Sequence, residues 1–154
     1  MSIQSINLLS DNLAQSILDA MLSVCDLEVS YDTDGALIGD FEHAFNHVGL
    51  YGFILEKESK RGVAYIGKTE KDNRLRQHIT EKNKDGTPLK ESVSTKHKEI
   101  KKAISAGYKV YLSLYSNNDF NKSSLSCMEI SCIQNGIDQL AKVFPDVTTW
   151  NRRI

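Results

Sequence analysis

Val48-Gly49-Leu50-Tyr51-Gly52-Phe53-Ile54-Leu55-Glu56, followed after a polar break by Val63-Ala64-Tyr65-Ile66-Gly67, is the stretch on which the fold turns. In the first segment Leu50, Gly52 and Ile54 alternate with Tyr51, Phe53 and Leu55, the period-two pattern of a strand. Val63–Gly67 is a second strand, and the connection Glu58-Ser59-Lys60-Arg61-Gly62 makes the two an antiparallel pair. Downstream, Asp72 to Lys82 reads as a helix with Leu75 and Ile79 on one face, and polar Asn83 to Val93, with Gly86 and Pro88, as a loop. Ser94 or Thr95 caps the next helix, which runs to Ala106 and stops at Gly107. Tyr108–Tyr115 alternates Tyr108, Val110, Leu112 and Leu114 as a third strand. A loop, Ser116–Lys122, leads to a long helix from about Ser124 to Val143, with Pro145 and a polar tail, Thr148 to Ile154, beyond it. Upstream, Asp11 caps a helix to Asp26, and Leu27–Tyr31 and Ala36–Ile38 form a hairpin turned by Asp32-Thr33-Asp34-Gly35. From Val48 the order is β-β-α-α-β-α. The expectation is a mixed α/β (α+β) fold: a three-stranded core sheet flanked by helices at 48–154, with 1–47 a helix-and-hairpin extension packed on it.

The 154 residues suffice for one compact domain, and 40% apolar with 25% charged residues excludes a disordered or membrane-spanning class. No apolar run is long enough to cross a bilayer, and the N-terminus lacks the basic-then-apolar pattern of a secretory signal, so a cytoplasmic location is expected. Cys25, Cys127 and Cys132 are odd in number and form no C-x-x-C pair, which fits free thiols in a reducing compartment. The net charge of −1 hides an asymmetry. Residues 1–55 carry eight acidic side chains and no Lys or Arg, whereas residues 56–102 carry fourteen Lys/Arg against eight Asp/Glu. Phosphate binding depends on a local basic surface rather than on whole-chain charge, although a Lys/Glu-rich segment taken alone is better explained by a solvated face.

Gly49-Leu50-Tyr51 and Tyr65-Ile66-Gly67 lie on consecutive strands with the tyrosines fourteen residues apart. After them come Lys68-Thr69 and Arg74-Leu75-Arg76-Gln77-His78, and far downstream Glu129 on the long helix and Asn151 near the end. This ordered set resembles the GIY-YIG nucleases, with Leu50 in place of the usual Ile. The resemblance spans Gly49 to Asn151, about two-thirds of the chain. Each tripeptide alone is common in β-rich sequences, and it is the ordered set that is specific. Tyr65-Ile66-Gly67-Lys68-Thr69, the polar insert, Ser94-Thr95-Lys96 opening a helix, and Trp150-Asn151 before basic residues look like the phage endonuclease II group of that family.

The resemblance implies a metal-dependent DNA endonuclease that hydrolyses phosphodiester bonds with Mg²⁺ or Mn²⁺, with DNA as partner, a homo-oligomeric assembly and no membrane. Glu129 is the implied metal ligand, since one carboxylate with phosphate oxygens and waters suits a hard cation. Read without the family, Ser126-x-x-Glu129 is a capping box. Arg74 and His78, four apart, share a helix face. Arg74 is expected to clamp the phosphate and stabilise its charge, and His78 to bond a tyrosine hydroxyl or relay a proton. Tyr51 is the implied general base, needing nearby cations to bring a phenol down from a pKa near ~10. Tyr65 orients water or phosphate, and Lys96 contacts phosphate. Lys68, Arg76, Lys84, Lys90 and Asn151 are candidate DNA contacts, with Asn151 expected to buttress the site or the phosphate through its amide. Gly49 belongs to the strand motif, and Gly67 permits close backbone approach to phosphate or ends its strand. The main alternative is a non-catalytic DNA-binding protein that keeps this fold. An excision-repair nuclease component is less expected, as the length leaves no room for its extra domains. An acidic nucleic-acid mimic explains residues 1–55 but nothing downstream.

Overall fold

The computed structural model describes residues 3–70, 74–90, 95–116 and 122–151, with side chains from residue 12 onward apart from 122 and 123. Strands β1 (Leu27–Val29), β2 (Val48–Lys57), β3 (Lys60–Glu70) and β4 (Lys109–Tyr115) form one antiparallel sheet in the order β1-β4-β2-β3. The helices are α1 (Ile3–Ser23), α2 (Glu42–Phe45), α3 (Arg74–Thr80), α4 (His97–Ser105) and α5 (Lys122–Val143). From β2 onward the described elements follow the order β-β-α-α-β-α.

Alternate side chains of β2 feed two cores. Tyr51, Phe53 and Leu55 pack with Leu75 and Ile79 of α3, Ile100 of α4, and Val110 and Leu112 of β4. Leu50 and Ile54 pack with α1 and α5 on the other face. Helix α1 supplies Ala14, Ile17, Leu18 and Met21, the i, i+3, i+4, i+7 stripe of an amphipathic helix. Each such Leu, Ile or Phe removed from water contributes about 1.5–3 kcal/mol, which holds helical layers on both sides of the sheet.

The β2–β3 hairpin turns on Glu58 and Ser59 alone, both left-handed with φ of 54° and 65°. That twist matches the strands it joins. Lys60, Arg61 and Gly62, read above as connection, belong to β3. Pairing runs Phe53 to Tyr65 and then Ile54 to Val63, so Ala64 is an unopposed bulge.

Several boundaries differ from the sequence reading. Helix α1 begins at Ile3, so Asp11 lies inside it rather than capping it. The expected hairpin shrinks to its turn. Gly35 takes φ 83° and the Asp32 carboxylate accepts from the Asp34 and Ala36 amides, but only one bridge, Tyr31 to Leu37, follows. Leu27–Val29 pairs instead with β4, Leu27 opposite Leu112, where Val29 is buried. The core sheet therefore has four strands and includes part of the expected extension. Asp72 and Ser94, expected to begin α3 and to cap α4, lie outside the described residues. Lys96, not Thr95, occupies the N-cap position of α4, and no side-chain cap bond is made there. Among the described residues no helix is long and apolar enough to cross a membrane.

The outer edge of β3 positions the site. An open edge strand exposes unpaired amides and carbonyls, and here α5 and the tail cover them. Gln139 accepts from the Val63 amide at 2.8 Å and donates to the Arg61 carbonyl at 2.9 Å. The Trp150 amide donates to the carbonyl of bulged Ala64 at 2.8 Å. Asn151 pairs both ways with Ile66, accepting its N–H at 3.0 Å and donating to its carbonyl at 2.9 Å. The described part of the expected polar tail is thus docked, with the Trp150 ring buried 6.1 Å from Phe53.

Candidate active site

Tyr51 and Tyr65 project from the same face of neighbouring strands, with ring centroids 6.0 Å apart. Tyr51 is 1% exposed and hydrogen-bonds the hydroxyl of half-buried Tyr65, the phenol nearer solvent. Tyr51 also explains Gly67, its cross-strand partner. A Cβ at position 67 would sit 2.5 Å from Tyr51 Cζ and 2.6 Å from its hydroxyl. The expected close approach is therefore made by a tyrosine ring, and since β3 continues to Glu70, Gly67 does not end its strand. Gly49 has a different reason. Its φ is 140°, and a Cβ there would meet the Tyr115 carbonyl at 2.5 Å.

Helix α3 brings Arg74 and His78 to this face. Arg74 Nη1 donates to Gln77 at 3.1 Å, and its charge acts on both Tyr65 and His78. His78 is 2% exposed, with its ring 5.4 Å from Tyr65 and 6.3 Å from Tyr51. Its Nδ1 accepts the Lys96 amide at 3.1 Å. Burial, then the Arg74 and Lys96 cations, push the imidazole down to about 3, so at neutral pH it is uncharged with its proton on Nε2. Lys96 is only 5% exposed, and its Nζ lies 5.3 Å from the centre of the Tyr65 ring.

Glu129 reaches the same place from α5, at the edge of β3. It accepts the Lys68 amide, and burial raises its pKa, with the Lys68 cation opposing that rise and Glu70 adding to it. Because α5 starts at Lys122, Ser126 and Glu129 lie inside the helix and the capping-box reading fails. Ser126 Oγ instead accepts Lys68 Nζ at 2.7 Å. Glu129 also acts on Tyr65, whose phenol is raised chiefly by burial, with Tyr51 and Arg74 opposing.

Comparison with protein-family models, with curated proteins and with solved structures finds no match to this chain.

Tyr51, Tyr65, Arg74, His78, Lys96 and Glu129 are thus gathered around Tyr65, with Lys68 and Asn151 beside them. Both arms of the Asn151 amide are spent on Ile66, so it buttresses the Tyr65-Ile66-Gly67 strand. Arg76 is elsewhere: it pairs with Glu42 at 3.2 Å and lies 4.4 Å from the Phe45 ring. Lys84 and Lys90 are exposed on the loop after α3. The sequence reading gives Ser126 only a capping role, assigns none to Gln77, and does not single out Glu70. Ser126 and Glu129 had a legible i, i+3 spacing, but that signal points to a cap unless the start of the helix is known. Among the described residues no three His, Cys, Asp or Glu side chains come together as a metal cage. A cavity of about 480 Å³ between α4 and residues 146–150 is lined by Glu99 and Asp146 as well as Lys102, poor chemistry for a phosphate.

Proposed function

We propose that this chain is a metal-dependent DNA endonuclease of the GIY-YIG type, nearest in pattern to the phage endonuclease II group. One observation carries the reading. Residues scattered from 51 to 129 on β2, β3, α3, the start of α4, and α5 meet around a single half-buried phenol, in the set that the sequence resemblance implied.

The donor set suits a divalent cation that keeps most of its waters. It offers one half-buried carboxylate, Glu129, whose charge is disfavoured by burial, so a hard cation gains there. Mg²⁺ or Mn²⁺ held by Glu129 supplies positive charge for the phosphoryl oxygens and a more acidic water. Arg74, and Lys96 over the Tyr65 ring, add fixed positive charge for the phosphoryl oxygens. Tyr65 orients the attacking water. Tyr51 stands behind it and hydrogen-bonds its hydroxyl, so Tyr51 orients Tyr65 rather than meeting the water itself. His78, neutral at working pH, holds its neighbours in place and adds no charge of its own. DNA as substrate, a homo-oligomer in solution and a cytoplasmic setting belong to the same proposal.

The test is supercoiled plasmid cleavage by the wild-type chain and Glu129→Ala, with Mg²⁺ or with EDTA. Nicking or linearisation that needs metal and is lost in the variant supports the reading. No cleavage across metals and DNA substrates, with DNA binding intact, would favour a non-catalytic DNA-binding protein of this fold.

A further inference from the structure

Arg74 opens α3 and Lys96 stands at the N-cap of α4, and both cations act on His78, yet a polar segment of some fifteen residues, 81–95, lies between α3 and Lys96. Two contacts bridge its ends. The buried Lys96 amide donates to buried His78 Nδ1 at 3.1 Å. One residue on, His97 Nδ1 lies 2.7 Å from the Glu81 carboxylate, which follows α3 at a left-handed φ of 56°. We infer that His78 is a positioning residue: its Nδ1 clasps the start of α4 to α3 and so sets the Lys96 ammonium against Tyr65. Its catalytic consequence rests on the nuclease reading, whereas the clasp itself does not.

The physical case begins at the helix end. The first amides of α4 lack intrahelical acceptors, and no side-chain cap serves its N-cap. An acceptor from outside the helix therefore has unusual weight. His78 provides it from a buried site, so the bond faces little competition from water. The geometry is tight. His78 and Lys96 Nζ lie 5.4 and 5.3 Å from the Tyr65 ring centre. Rotating the start of α4 moves the ammonium off the phenol. The Glu81–His97 pair, with Glu81 45% exposed, is the weaker half of the joint. An imidazole occupied at Nδ1 and flanked by two cations is a poor proton relay, so the clasp replaces the relay role.

The experiment uses the full chain as wild type, His78→Asn and His78→Leu. Asparagine keeps an acceptor oxygen near the place of Nδ1, and leucine keeps bulk without an acceptor. Hydrogen exchange at the Lys96 amide is read first, then metal-dependent plasmid nicking. The expected result is a Lys96 amide protected in wild type and His78→Asn but open in His78→Leu. Nicking falls about 100-fold in His78→Leu, the scale of an ångström's misplacement, and recovers to at least about a tenth of wild type in His78→Asn. Should His78→Leu not fold, His78→Gln, whose oxygen lies one carbon too far, takes its place with the same expectation. A Lys96 amide that stays protected without an acceptor, or equal inactivity of His78→Asn and the acceptor-free variant, overturns the inference. If wild type does not nick DNA at all, the nuclease reading fails while hydrogen exchange still decides the clasp.

Discussion

Acid should weaken this fold through one buried ring. In the folded chain His78 stays neutral down to about pH 3, because burial and the Arg74 and Lys96 cations oppose its charge. In the unfolded chain it takes up a proton near 6.5. Unfolding therefore binds a proton below that value. The stabilisation from neutral His78 is complete above pH 6.5 and is lost progressively as pH falls from about 6.5 towards about 3. Each unit in that window costs about 1.4 kcal/mol, so wild type should lose about 2 kcal/mol from this ring between about pH 7.5 and about pH 5. Any folded pKa well below 5 gives the same figure. His97, also lowered by burial, adds a loss of the same sign, and Glu129, raised, contributes the opposite. His78→Asn removes only the His78 share. Urea unfolding followed by circular dichroism at the two pH values, extrapolated to water, measures both chains. His78→Asn should lose about 2 kcal/mol less than wild type on acidification. Equal losses in the two chains would refute the reasoning, since they require His78 to titrate alike folded and unfolded.

Gly67→Ala puts a methyl 2.5 Å from the Tyr51 ring. It should cost about 1–3 kcal/mol by overpacking and depress nicking with DNA affinity unchanged, as read by thermal melting and single-turnover cleavage. Glu129→Gln should stabilise the metal-free chain at neutral pH, because burial disfavours the carboxylate. Mg²⁺ should raise the melting temperature of wild type but not of this variant, which calorimetry reads directly. Asn151→Ala removes both bonds to Ile66 and should cost about 1–3 kcal/mol. Faster hydrogen exchange at the Ile66 amide would mark the loss, and an unchanged amide would show that Asn151 does not buttress the strand.

The sequence by itself determined what is local. Alternation at Leu50–Leu55 and Tyr108–Leu114 marked strands, and Leu75 with Ile79 marked the buried face of a helix, because backbone period and burial imprint the same spacing on side chains. Tyr65 and the five residues now gathered around it could be named in advance only as an ordered set, with roles taken from resemblance. Tertiary structure decided which groups meet. Leu27–Val29 reads in the sequence as one arm of a hairpin with Ala36–Ile38, and the structure pairs it with β4 instead, where Val29 is buried. Trp150 and Asn151 stand out within the polar tail, Thr148 to Ile154, by resemblance alone, and only the fold shows that their amides serve the edge of β3, some 85 positions earlier in the chain. Ser126-x-x-Glu129 is a cap or a site depending on where α5 begins, which the spacing does not say. Arg74 and Arg76 are two residues apart with the same chemistry, and only the facing of α3 turns one towards Tyr65 and the other onto Glu42 and Phe45. Spacing encodes the local backbone, whereas a hydrogen bond such as Lys96 to His78 joins groups that no local period relates, so folding alone supplies the partner.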